Sequence, residues 1–133
     1  MDKFDNIITD SFDIAWAKAI EFKNTQLTKE HLLLALMLNP ASQIGKILKD
    51  KKQDIESTIA NFSKSTGELT PEQIKMDGEL QAWLTQASAR KAQAGRQEVQ
   101  ENDLVPFIPQ FFKKLNIDPE ILKEFQENKN LEI

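Results

Sequence analysis

Through residues 4–23 apolar side chains recur at helical spacing: Ile8, Phe12, Ala15, Ala19 and Phe22 make one stripe, with Asp5, Asp13, Lys18 and Glu21 outside it. The pattern predicts a long amphipathic helix. After the polar turn Asn24-Thr25-Gln26 it changes character, and from Leu32 to Leu38 every side chain is apolar, the longest such run in the chain. A helix apolar all round has no water-facing side and belongs in the interior of a domain. Thr28 is a suitable N-cap, since its hydroxyl can accept a hydrogen bond from an unpaired first-turn amide, and Glu30 there faces the positive end of the helix dipole. Pro40 ends the element, because residues before a proline are steered away from helical geometry. A strand is the competing reading, but Leu, Ala and Met favour helix and the capped length exceeds that of a usual strand.

Shorter patterns follow. Ser42 to Lys49 places Ile44, Ile47 and Leu48 on one side of a short third helix, and Asp54 is expected to cap a fourth that turns Ile55, Ile59 and Phe62 to the core. Ser63-Lys64-Ser65-Thr66-Gly67-Glu68 is polar and reads as a surface linker. Thr70-Pro71-Glu72-Gln73 has the form of a helix start, with Thr70 as N-cap, Pro71 in the first position and Gln73 closing a capping box. Asp77-Gly78 interrupts or restarts it. Leu80, Trp83, Leu84, Ala87 and Ala94 then predict another long amphipathic helix, which Gly95 ends as a C-cap.

The second half repeats the first. A shift of 72 positions sets Phe12 on Leu84, Ala15 on Ala87, Lys18 on Arg90, Leu27 on Val99, Leu32 on Leu104 and Leu33 on Val105. Beyond a deletion of about eight residues, Ile47-Leu48-Lys49 falls on Phe111-Phe112-Lys113 and Asp54-Ile55-Glu56 on Asp118-Pro119-Glu120. Each half reads as long helix, buried helix, short helix and Asp-capped helix. The predicted architecture is therefore all-α, a pseudo-twofold bundle of two four-helix repeats in one domain over 1–133. The first repeat spans about 4–63, a linker 64–75 and the second repeat about 76–128. Pro106 and Pro109 fall where the second buried helix should run, and each removes an amide donor and crowds the preceding turn, so that helix is expected to be short or kinked. With Asn102 as its cap Pro106 is nearly tolerable; with Gln100 the clash is worse.

Composition narrows the classes of function. A chain of 133 residues fits one domain with a sizeable core. No apolar run is long enough to cross a membrane, and the start of the chain lacks the basic and apolar segments of a signal peptide, so a cytoplasmic or organellar-matrix location and no membrane partner are expected. The absence of cysteine removes disulfides and thiol chemistry together. A net charge of −4 argues against nucleic acid as the main partner, because duplex binding rests on basic clusters.

His31 is the only histidine, without the second histidine or cysteine that a metal site would need, and reads as a residue fixing the start of its helix. Glu101 and Asp103 are a carboxylate pair, but nothing in the sequence places them in a desolvated pocket. Lys46, Lys49, Lys51 and Lys52 read as a solvated face, and Trp16 and Trp83 as core or as an anchor for a partner. No catalytic, cofactor or metal site is expected.

Thr28-Lys29-Glu30-His31-Leu32-Leu33-Leu34-Ala35-Leu36, preceded by a long Ala-containing helix and followed by a diverged second copy, resembles the Clp N-terminal domain of bacterial and organellar Clp/Hsp100 unfoldases over about residues 4–128. The resemblance implies a protein-binding domain that hands unfolded or aggregated substrates, or an adaptor protein, to an ATPase ring or protease core, in cis or in trans. It also implies a substrate groove: Thr9, three residues ahead of Phe12-Asp13-Ile14-Ala15, matches a threonine of the disaggregase-type members, and Asn102 and Asp103 match an acidic position loosely. Val99, Leu104 and Phe107 are candidate apolar walls or core. The chain itself has no phosphate loop, since none of its four glycines precedes Lys-Ser or Lys-Thr. Two alternatives keep the fold: a stand-alone accessory docking on a protease core, and the N-domain of a secretion-sheath ATPase. A small hydrolase or ligand-binding bundle is the alternative of another class, and predicts an enclosed pocket with convergent polar groups.

Overall fold

The computed structural model describes residues 3–123. The long apolar stripe forms α1, Asn6–Glu21, two residues shorter at each end than the pattern suggests, because Phe4 belongs to the two-residue strand β1, Lys3–Phe4, and Asp5 is the N-cap. The buried run is α2, Lys29–Leu38, entered through strand β2, Gln26–Leu27, and capped by Thr28. Its residues His31 to Leu36 are all buried. Next come α3, Gln43–Ile47, capped by Ser42, a 3₁₀ turn at Lys49–Lys51, and α4, Lys52–Ala60. Asp54 does not cap α4 as expected. The turn runs straight into the helix, so Lys52 is already helical, no side chain caps it, and the Asp54 carbonyl instead accepts from the Thr58 hydroxyl.

The linker over 63–68 is largely exposed and leads to the Thr70 capping box, which supports only a 3₁₀ turn, Pro71–Gln73, before strand β3, Lys75–Met76. Asp77 then caps a fresh helix, α5, Gly78–Gln93, and Gly95 takes the left-handed conformation (φ 72°) behind it. Strand β4, Glu98–Val99, precedes the second buried helix. That helix is broken as the prolines require: α6, Glu101–Leu104, a 3₁₀ turn Val105–Phe107, and α7, Ile108–Phe111. The cap is Gln100. Pro109 has no N–H for the Val105 carbonyl, and the Ile108 amide takes that acceptor instead, which tightens the turn. A 3₁₀ turn, Lys113–Leu115, and a helix α8, described over 119–123, follow. Asp118 stands at the start of α8, its carboxylate accepting from the Glu120 amide. The expected end of the second repeat, 124–128, lies outside the described residues.

The bundle is pseudo-twofold, and a shift of 72 maps its elements with little error: α1 onto α5, β1 onto β3, β2 onto β4, and 29–39 onto the span of α6, the turn and α7. The strands pair across the repeats, β1 with β4 (Lys3 beside Glu98) and β2 with β3 (Gln26 beside Lys75), so the twofold exchanges one parallel pair for the other. From Lys49 onward the shift becomes 64, laying the turn Lys49–Lys51 on Lys113–Leu115. Between these registers Pro40–Leu48 has a single counterpart, Phe112. The second repeat thus has no separate helix in the place of α3, and its third helix, α7, is the tail of the broken buried helix.

The core lies between the repeats. Leu32, Leu33 and Leu36 belong to one buried cluster with Ile8, Ala15, Leu80, Leu104, Val105 and Ile108, all with no exposed surface. Trp83 is fully buried, packs edge-on against Phe112 at 5.3 Å, and donates its indole N–H to the Leu104 carbonyl at 3.0 Å. Trp16 is only partly buried against the core.

Candidate functional site

Each buried helix starts on the same local device with different chemistry. In the first repeat the Thr28 amide donates to His31 Nδ1 (3.0 Å), which assigns the ring proton to Nε2, and Nε2 donates to Asn24 Oδ1 (2.9 Å). Burial holds the imidazole pKa down to about 4, and a proton on Nδ1 would also confront the Thr28 N–H. In the second repeat the counterpart of His31 is Asp103, fully buried, accepting from the Gln100 amide (2.8 Å) and from both terminal nitrogens of Arg96, the counterpart of Asn24. The hydrogen bond to Asp103 outweighs burial and raises the Arg96 pKa further. His31 therefore fixes a turn, as its sequence context suggests.

Position 29 and its counterpart 101 differ in charge. Glu101 is 2% exposed and reaches the start of α3, accepting from the Ser42 hydroxyl (2.8 Å) and from the amides of Gln43 (3.1 Å) and Ile44 (2.9 Å). Ser42 in turn caps Gly45. Gly45 is required there, since a Cβ would stand 2.1 Å from the Leu36 carbonyl oxygen. Glu101 and Asp103 are thus both desolvated, contrary to expectation, but one carboxylate is occupied by a helix start and the other by a guanidinium.

On the opposite side, Lys29 borders an open cleft of about 730 Å³. It is lined by the segment Gln110–Leu115 of the second repeat, by Thr28–Glu30, by Ile55 and Thr58 of α4 with Phe62 just beyond it, and by Asp77 and Glu79 at the start of α5. The Lys29 ammonium is 2.7 Å from Glu79 and 3.2 Å from Glu30, and stands 5.8 Å from the Phe112 ring centre. Burial lowers its pKa, but the two carboxylates more than offset this and leave it raised. Asp77 at the rim is engaged with the Leu80 amide, and Lys113 and Lys114 are exposed.

The residues expected to line a groove are partly dispersed. Val99 and Leu104 have no exposed surface and are core, and Asp103 is sealed on Arg96. Thr9 is exposed, its hydroxyl donating to the Phe4 carbonyl (3.3 Å), while Phe107 and Asn102 are half-buried. The β1–β4 pair brings the starts of α1 and α6 together, with the Asp5 amide on the Val99 carbonyl. At the pseudo-equivalent β2–β3 pair Gln81, the counterpart of Thr9, bonds the Met76 carbonyl in the same way, but neither residue lines the cleft. Lys29, Glu79 and Phe62 were not anticipated there, although the eight-residue deletion was a readable signal that one side of the bundle is uncovered.

Comparison with known proteins agrees with this architecture. The family model of the Clp repeat (R) N-terminal domain matches residues 2–105. No curated protein matches the chain in sequence. Among solved structures, the chain is similar to the N-terminal domain of Hsp104 from Candida albicans, with 18% identity, 93% of this chain and 88% of that one covered, and a TM-score of 0.72. It is also similar to the N-terminal domain of the ClpV1 ATPase from the type VI secretion system of E. coli (14% identity, 92% and 82% covered, TM-score 0.71). A third similar structure is the N-terminal domain of the chaperone ClpD from Arabidopsis thaliana (10% identity, 90% and 89% covered, TM-score 0.64).

Proposed function

Because the chain belongs to the Clp repeat N-terminal domain family, we propose that it is a recruitment domain, binding unfolded or aggregated proteins, or an adaptor that carries them, for a Clp/Hsp100-type ATP-driven unfoldase. The observation that carries this reading is the open cleft of about 730 Å³ on the bundle surface. It combines partly exposed aromatic walls, Phe62 and Phe111, with a charged rim, the composition a protein-binding groove requires. Weak capture suffices for such a role, because tethering near a ring raises the local concentration of whatever is held. The chain serves this role without chemistry of its own. Glu101 and Asp103, the buried carboxylates that a hydrolase reading would use, are committed to Ser42 and Arg96 and do not line the cleft.

Titration of the chain with a permanently unfolded model polypeptide and with an N-degron adaptor tests the proposal. Saturable binding of one of them at micromolar to high-micromolar concentration is expected. No binding of either at high-micromolar concentration overturns it.

A further inference from the structure

The cleft is the place that α3 would occupy in the second repeat. On one side of the bundle Pro40–Leu48 fills the space between the end of α2 and the start of α6, and Glu101 holds that segment by accepting from a hydroxyl and two amides. On the other side the same space, between the end of α7 and the start of α2, has only Phe112 in place of Pro40–Leu48, and the residue facing it is Lys29. The Lys29 ammonium over the Phe112 ring fixes this correspondence in space. The charge at the anchoring position is therefore reversed, from an acceptor of donors to a donor, held in this structure by Glu30 and Glu79.

From this geometry we infer that the cleft takes a short internal turn of a protein partner, apolar on its flanks and carrying one acidic side chain that binds Lys29. The reading rests on the recruitment function and specifies what is recognised. An internal turn is favoured because the segment in the pseudo-equivalent place is one that enters and leaves. The acidic group is favoured by which charges are already paired: of the three acids that line the cleft Asp77 is occupied as the cap of α5, and Glu30 and Glu79 share the Lys29 ammonium, while Lys113 and Lys114 add two exposed cations. Glu79, whose side chain is 62% exposed, now sits on the ammonium as a stand-in carboxylate that the partner displaces. Phe62 and Phe111 offer the apolar flanks partly exposed surfaces.

The probe is a capped decapeptide with Leu and Phe on both sides of a central Glu, compared with its Gln twin by NMR titration of the full chain. The Glu peptide should bind roughly 3-fold tighter, because its carboxylate displaces Glu79 and so gains only part of a charge-assisted hydrogen bond, and should shift resonances of Lys29 and Phe111. Lys29→Gln should erase the preference. Glu79→Gln, at an exposed site that leaves the fold intact, should enlarge it, and added salt should shrink it. Equal affinity of the twins, a preference that survives Lys29→Gln, or no binding of either peptide overturns the inference. If the unfolded polypeptide still binds in that case, recruitment stands and only the cleft assignment fails; if it does not, recruitment fails as well.

Discussion

Replacing Glu101 by alanine tests the contact that joins the repeats on the closed side of the bundle. The carboxylate is 2% exposed and accepts three hydrogen bonds, from the Ser42 hydroxyl and the amides of Gln43 and Ile44. A hydrogen bond to a charged group is worth about 1.5–3 kcal/mol net, and a buried donor left unpaired loses its full desolvation energy. The three losses do not add. Gln43 is exposed and water can replace its partner, and the Ser42 hydroxyl can rotate, so the buried Ile44 amide dominates. The expected destabilisation is about 3 kcal/mol, which for a domain of this size lowers Tm by roughly 10 °C. Glu101→Gln keeps the volume and one acceptor and should lose about half as much. Urea melts followed by circular dichroism should show a lower midpoint with an unchanged slope, and amide exchange should speed up at Ile44 and Gly45. A loss under about 1 kcal/mol, or unchanged exchange in α3, would mean that Ile44 and Leu48 hold the helix by burial alone and that Glu101 is no anchor.

Gly45→Ala forces a methyl group against the Leu36 carbonyl, with 2.1 Å available, so α3 must back away from α2; overpacking against backbone should cost about 3 kcal/mol or more, and an unshifted urea midpoint would refute the close approach. His31 titrates at about 4 in the folded chain because it is buried, against an ordinary value of 6.5. Between these values the unfolded chain binds the proton first, so this contribution to stability is complete above pH 6.5 and declines as pH falls toward 4, by about 3 kcal/mol in total. His31→Gln should remove that part of the pH dependence in melts from pH 7 to pH 4, and an identical slope in both proteins would rule it out.

The features legible in the sequence are those fixed within a few residues. Thr28 caps α2 and Gly95 ends α5, each through contacts with its immediate neighbours, and Asp77-Gly78, which reads as an interruption or a restart, is where α5 begins. The 72-residue shift was legible because caps and apolar stripes recur together. Asp54 misled because the turn Lys49–Lys51 passes into α4 without a cap to read. The four short strands were invisible, since two residues carry no alternation and each pairs with a strand of the other repeat. Glu101 and Asp103 look like solvated charges until their distant partners are known; Ser42 is 59 residues away from the one, and Arg96 has the counterpart position of an ordinary Asn24.

The exchange of strands makes the two repeats interdependent. The Asp5 amide bonds the Val99 carbonyl, and in the pseudo-equivalent place the Asp77 amide bonds the Leu27 carbonyl, so the start of each long helix is held by the other repeat. Glu101 adds a bond of the same kind to α3. The cleft inherits this dependence, with Thr28–Glu30 and Phe62 from one repeat standing over Phe111 and Phe112 of the other. Its shape exists only while both repeats are folded together, and a partner held there binds the folded chain and not the unfolded one. Such a partner must stabilise the entire bundle, by about 1.4 kcal/mol when its free concentration is ten times the Kd. That gain should appear in the melting of α1 and α5 alike, although α1 lies outside the cleft, because neither repeat can release its strand without releasing the other.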